Sequence, residues 1–185
     1  MSSNVEDLAG RLHAQLEAVE KSFRDIRVPD RERPITASQH PGGSQWSAKD
    51  HLAHVVQSEW GFFAIGRRLI AGDPDPVRIS RRGNTPEERA EFVNGENQAQ
   101  VRARLGQSFD ELLDELQRVV EQRIQLLHGL SDDQLARPIP GSEWANRSWA
   151  AMLGNTRHAE AHVAIVQRGL AGADLVDMPD PTSPG

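Results

Sequence analysis

The 185-residue chain contains no cysteine. Disulfides, thiolate metal sites and a protein thiol nucleophile are excluded together, so any metal must be held by His, Asp or Glu, and any thiol chemistry must use a thiol from outside. Tyrosine is absent as well, so no phenol can act as acid or base. No apolar run approaches the roughly 18 residues that a membrane span needs, and the N-terminal residues lack the apolar segment of a signal peptide. The expectation is a cytoplasmic protein without a membrane partner. Nor is there a basic field. With 21 Lys and Arg against 27 Asp and Glu, the formal net charge is -6, which argues against nucleic acid as a partner. What is there, 37% hydrophobic and 26% charged residues, fits a soluble globular domain long enough to bury one core.

The apolar residues recur at helical spacing. Val5, Leu8, Leu12, Leu16, Val19, Phe23 and Ile26 step by threes and fours, which predicts a helix near 4–27 with Ser3 and Glu6 as its capping box and Pro29 as its stop. Ser47 and Asp50 form a second capping box, with Trp46 as the preceding hydrophobic staple. The helix they open, near 47–71, carries Leu52, Val55, Val56, Phe62, Phe63, Leu69 and Ile70, and Gly72-Asp73-Pro74 ends it. Thr85-Pro86 starts a third, near 86–128, which Asn94-Gly95 and a cap at Ser108 with Glu111 can break within 94–108. Its second part is a strong stripe of Leu112, Leu113, Leu116, Val120, Ile124 and Leu127. Ser131 with Gln134 marks one short turn, and a last helix runs near 147–171. No repeat and no strand-like alternation is visible. Four stripes that each need a partner predict an all-α antiparallel four-helix bundle with long connections over 1–172, followed by a flexible Pro-rich acidic tail, 173–185. The connections 27–46, 71–84 and 130–147 are expected to gather at the functional end. Arg78, Arg81 and Arg82 in the second of them read as solvated, with contact to an anionic ligand as the alternative.

The chemistry concentrates in histidine. His158 and His162 are four apart on the last helix, hence on one face, beside the side that carries Met152, Val163, Val166 and Leu170. That spacing lets both imidazoles reach one ion, although such pairs also occur as plain surface histidines. Glu160 points away, and the order differs from the H-E-x-x-H of a zinc protease. A third ligand would come from His51 or His54 at the start of the second helix. Periodicity alone slightly favours His51, which lies nearer the apolar arc. His13 reads as solvated and His40 as a loop residue.

Pro41-Gly42-Gly43, then Trp46-Ser47-x-x-Asp50-x-x-x-His54, resembles the second-helix signature of the DinB-like superfamily, whose members include bacillithiol- and mycothiol-dependent enzymes and the zinc hydrolase-like YfiT group. The His-x-x-x-His of the last helix and the Leu-rich helix after Ser108 are similar too, and the resemblance runs from the first helix through Gly172. It implies a fold in which three histidines, here His54, His158 and His162, hold one divalent ion, zinc or nickel, with positions open to water or substrate. Against periodicity, it favours His54 over His51, which becomes a residue behind the ligands. It also implies a homodimer, for which Trp60 and Leu153, off their helices' main stripes, offer slight support; both can equally touch the same chain.

A three-ligand site of this kind is the catalytic form, and a divalent ion there activates water or a thiol and polarises a carbonyl. With no cysteine in the chain, the thiol version needs a low-molecular-weight thiol such as bacillithiol or mycothiol. The leading expectation is therefore a metal-dependent thiol S-transferase or isomerase of detoxification type, acting on a small-molecule substrate. Asn155, read as one turn before His158, would hydrogen-bond a ligand or bound water. Glu59 would support a ligand or act as a base. Metal-dependent hydrolysis of an amide or ester is the second enzymatic reading, and a non-catalytic stress-related binding protein the third. A di-iron carboxylate bundle is rejected, because none of the three histidines sits three residues after a glutamate.

Overall fold

The computed structural model describes residues 4–36, 45–78, 85–140 and 147–172. Ser3, His40, Arg81, Arg82 and the tail expected over 173–185 lie outside them. Among the described residues seven helices carry the fold: α1 (Asn4–Arg24), α2 (Ala48–Ile70), α3 (Pro86–Ala103), α4 (Phe109–His128), α5 (Asp132–Leu135), α6 (Trp149–Leu153) and α7 (Arg157–Leu170). Their starts are chemically specified. The Asp50 carboxylate accepts from the Ser47 backbone N–H at 2.8 Å and from its hydroxyl at 2.7 Å, while the Asp50 N–H donates to Ser47 Oγ. Thr85 with Glu88, Ser108 with Glu111 and Ser131 with Gln134 repeat the reciprocal box at α3, α4 and α5. Each such cap satisfies N–H groups that have no partner inside the helix. At the end of α2, Gly72 takes a left-handed φ of 73°, a conformation open to glycine without steric cost.

The core lies between α1, α2, α4 and α7. Leu12, Leu52, Leu112, Leu113 and Leu127 are fully enclosed. Helix directions follow from the pairs that meet. His51 faces His162 and His54 faces His158, so α2 and α7 are antiparallel. Phe23 packs on Phe109 and Val5 bonds Asp132, so α1 and α4 are antiparallel. Trp60 bonds Glu115 and Gly66 packs on Leu126, so α2 and α4 run the same way. The expectation of antiparallel neighbours therefore fails for this last pair. The third predicted helix is two, α3 and α4 with a break at 104–108, and α3 carries the chain back before α4 begins.

Three further expectations need correction. A two-stranded antiparallel ribbon, β1 (Pro34–Thr36) with β2 (Trp46–Ser47), forms just before α2, with a register irregularity between Pro34 and Thr36. Two and three residues are too few to show alternation in a sequence. The connections do not gather at one end: the ribbon leads into the start of α2, whereas residues 71–78 leave from its other end, 23 residues or roughly 34 Å away. Finally, the last helix is interrupted at 154–156, between α6 and α7. Gly154 lies against α1 so closely that a Cβ there would meet Leu8 Cδ2 at 2.2 Å and the Ala150 carbonyl at 2.9 Å. Gly154→Ala is expected to destabilise the protein by about 1–3 kcal/mol through overpacking, read as a lower urea midpoint at unchanged slope.

Candidate metal centre

The first two turns of α2 and of α7 face each other and bury four imidazoles. His51, His54, His158 and His162 are all under 9% exposed, and His162 is fully enclosed. His51 Nδ1 lies 3.0 Å from His162 Nδ1, and His54 Nε2 lies 3.3 Å from His158 Nε2. Trp46, delivered by β2 and itself 1% exposed, backs the group. Its ring meets His51 edge-on at 5.1 Å, is tilted on His54 at 5.2 Å and is stacked toward His162 at 6.4 Å. The residue read from sequence as a staple of α2 is thus also the wall of the cluster.

Of the two candidates on α2, the structure brings both inward. His54, His158 and His162 each offer a nitrogen within 4.8 Å of the others', and His51 lies behind His162. The triad fits a divalent ion on three counts. The 3.3 Å between His54 Nε2 and His158 Nε2 matches the edge of a tetrahedron of zinc–nitrogen bonds, about 3.3–3.4 Å for bonds of 2.0–2.1 Å. His162 Nε2 is buried without a hydrogen-bond partner, a costly state for a ring nitrogen unless something coordinates it. The donors are neutral imidazoles with no thiolate, which suits zinc, nickel or iron better than magnesium or calcium.

Burial also keeps His51, His54 and His162 neutral. Desolvation lowers the pKa of His51 to about 3. In His54 and His162 desolvation again acts first, and the neighbouring imidazoles push the same way, so both lie well below the ordinary value of 6.5. Neutral rings are the form that ligates.

Behind the histidines sits a buried ion pair. Arg123 of α4 is fully enclosed, as is Glu59 of α2 at 1% exposed. One guanidinium N–H group bonds the Glu59 carboxylate. Arg123 Nε donates to the Leu153 carbonyl at 2.8 Å and Nη2 to the Asn155 carbonyl at 2.8 Å, so the arginine holds the break between α6 and α7 from which His158 follows. Its guanidinium also lies 4.7 Å over the Phe62 ring, and Phe62 meets His158 edge-on at 6.3 Å. Glu59 is thereby engaged by Arg123. Asn155 sits in the break rather than on the helix of His158, with its side-chain oxygen accepting from the Arg157 N–H at 3.0 Å. Arg123 went unread in the sequence, although it stands on the stripe that runs from Leu116 and Val120 to Leu127. A lone arginine at a core position was the available signal.

The remaining candidates lie elsewhere. His13 is exposed beside Glu17, as its solvated reading requires. Arg78 pairs with Asp73. Trp60 donates to Glu115 at 2.8 Å and Leu153 is fully buried, so both turn toward their own chain. Two open clefts line the first turns of α1 against α5, and the larger also reaches α6; neither includes a histidine of the cluster. No helix among the described residues is long and apolar enough to cross a membrane.

Helical packing with three convergent histidines defines a class of all-α protein able to hold a divalent ion. Residues 11–166 match the DinB superfamily, and the chain belongs to it. It is also similar to a crystal structure of an uncharacterised protein from Escherichia coli UTI89, with a TM-score of 0.63 over 95% of this chain and 98% of that one; at 15% identity the likeness concerns the fold. No curated protein matches the sequence.

Two outcomes are expected. Arg123→Met should cost about 3–5 kcal/mol, because it leaves the Glu59 carboxylate buried and unpaired, and Glu59→Leu added to it should recover much of the loss; chemical denaturation of the single and double variants measures both. Metal-free protein should lose stability as the pH falls below about 6.5. The unfolded chain takes up protons there while the buried rings, with depressed pKa values, do not. Each such histidine removes up to about 1.4 kcal/mol per pH unit until its folded pKa is reached, visible as a falling melting temperature between pH 6.5 and 5.

Proposed function

We propose that the protein is a metal-dependent enzyme in which His54, His158 and His162 hold one zinc or nickel ion, and that it uses a low-molecular-weight thiol, of the bacillithiol or mycothiol kind, as an S-transferase or isomerase on a small electrophilic substrate. The observation that carries the metal reading is the convergence of three buried histidines, together with a His162 Nε2 that has no hydrogen-bond partner. An ion held there would lower the pKa of a coordinated thiol or water and polarise a carbonyl.

The chain's own residues support that chemistry in distinct ways. The three ligands bring no negative charge, so the site favours an anionic partner such as a thiolate. Trp46 covers one side and keeps water from it. The Glu59–Arg123 pair is neutral as a unit and holds the 154–156 break, so we read Glu59 as a support of the His158 turn. Asn155 belongs to the same support, its carbonyl accepting from Arg123 and its side-chain oxygen from the Arg157 N–H. The absence of cysteine from the chain is what makes the thiol an external one. In this reading α1, α2, α4 and α7 form the superfamily's four-helix bundle, the protein works in the cytoplasm, and a homodimer is the assembly.

Protein prepared without a histidine tag should contain one equivalent of divalent metal by elemental analysis. His158→Ala or His162→Ala should reduce it below a tenth while the helical circular dichroism survives, since Leu, Val and Phe carry the core. The loaded wild type should consume model electrophiles only when a thiol is supplied. Ester or amide hydrolysis without thiol would replace the transferase reading with a hydrolase, and a metal-free wild type would end both.

A further inference from the structure

The 3.0 Å contact between His51 Nδ1 and His162 Nδ1 requires one proton between two ring nitrogens, and where that proton resides decides what His162 can do. If His51 donated it, His162 would carry its own proton on Nε2. That N–H would be buried with no acceptor, and the nitrogen could not ligate. If His162 donates from Nδ1, its Nε2 keeps a lone pair and His51 Nδ1 is the acceptor. A neutral imidazole offers one donor and one acceptor nitrogen, so the first arrangement strands a polar group and the second does not, once an ion is present.

We propose that His51 is a positioning residue for the metal centre: its Nδ1 accepts the Nδ1 proton of His162 and so presents His162 Nε2 to the ion. This rests on the metal reading above. Ligating histidines are commonly fixed by a carboxylate or a backbone carbonyl behind them. Here the Asp50 carboxylate serves the cap of α2 and that of Glu59 is held by Arg123, and an imidazole takes the place. The acceptor is held by its own surroundings: His51 is one residue past the capping box, and Trp46 meets its ring edge-on. Because this acceptor is uncharged, it fixes the tautomer without adding negative charge to the site. That preserves the pull on an anionic ligand which a carboxylate at the same place would weaken.

The test uses the full chain loaded with zinc. Long-range proton–nitrogen NMR of wild type should show His162 protonated at Nδ1, with a coupling across the hydrogen bond to His51 Nδ1. His51→Leu, which fills space but accepts nothing, should bind zinc about 10- to 100-fold more weakly in chelator competition with the stoichiometry still one. His51→Asn, whose Oδ1 can stand near the Nδ1 position, should restore most of the loss. Zinc affinity unchanged in His51→Leu, or a wild-type spectrum with His162 ligating through Nδ1 or with His51 itself on the metal, overturns the role of His51 alone. Should the leucine variant not fold, the wild-type spectrum decides. A wild type that takes up no zinc instead removes the metal centre, and this role with it.

Discussion

Four imidazoles share one buried space between two helices, and much of the molecule serves to hold them there. Burying a polar ring without a partner is costly. In this cluster the rings partly satisfy one another, at 3.0 and 3.3 Å, but His54 Nδ1 and His162 Nε2 remain without hydrogen bonds. Such an arrangement persists only if the surrounding packing over-determines it. The capped start of α2, the wall made by Trp46 and the fully enclosed leucines on α1, α2 and α4 supply that rigidity, and a bound cation would turn the residual cost into binding.

The second support is Arg123. One side chain engages a carboxylate on α2, two carbonyls at the break between α6 and α7, and the face of Phe62. It therefore links three separate parts of the chain at the point where the His158 turn begins. A buried arginine of this kind is weak evidence of added stability. Its geometric value is greater, since a planar guanidinium with donors in fixed directions leaves its partners little freedom. The break it clamps also lets α7 take its own direction after α6, so that the two histidines can be aimed at α2.

Much of this could be read in the sequence, and the failures have physical causes. The stripes of α1, α2 and α4 and the caps at Ser47, Thr85, Ser108 and Ser131 are strictly local signals, and they appear where the spacing puts them. His158 and His162 followed from the same local rule. The choice between His51 and His54 could not, because a helix start tucked between a ribbon and another helix is buried over more than a hemisphere, so both positions turn inward. The interruption at 154–156 depends on Leu8 pressing against Gly154, a contact between residues 146 positions apart. The parallel course of α2 and α4 depends on where α3 sends the chain. Arg123 broke the expectation that core stripes are apolar, which is how functional or strained positions tend to announce themselves.

The placement of Trp46 has an optical consequence. Its indole, shut away from solvent and in ring contact with three of the four histidines, stands beside side chains that would hold an ion. Ultraviolet emission from that ring should therefore register occupancy directly. An open-shell ion such as nickel(II) would quench it, whereas closed-shell zinc(II) would mainly shift it, so this one of the chain's four tryptophans can distinguish the two without any label.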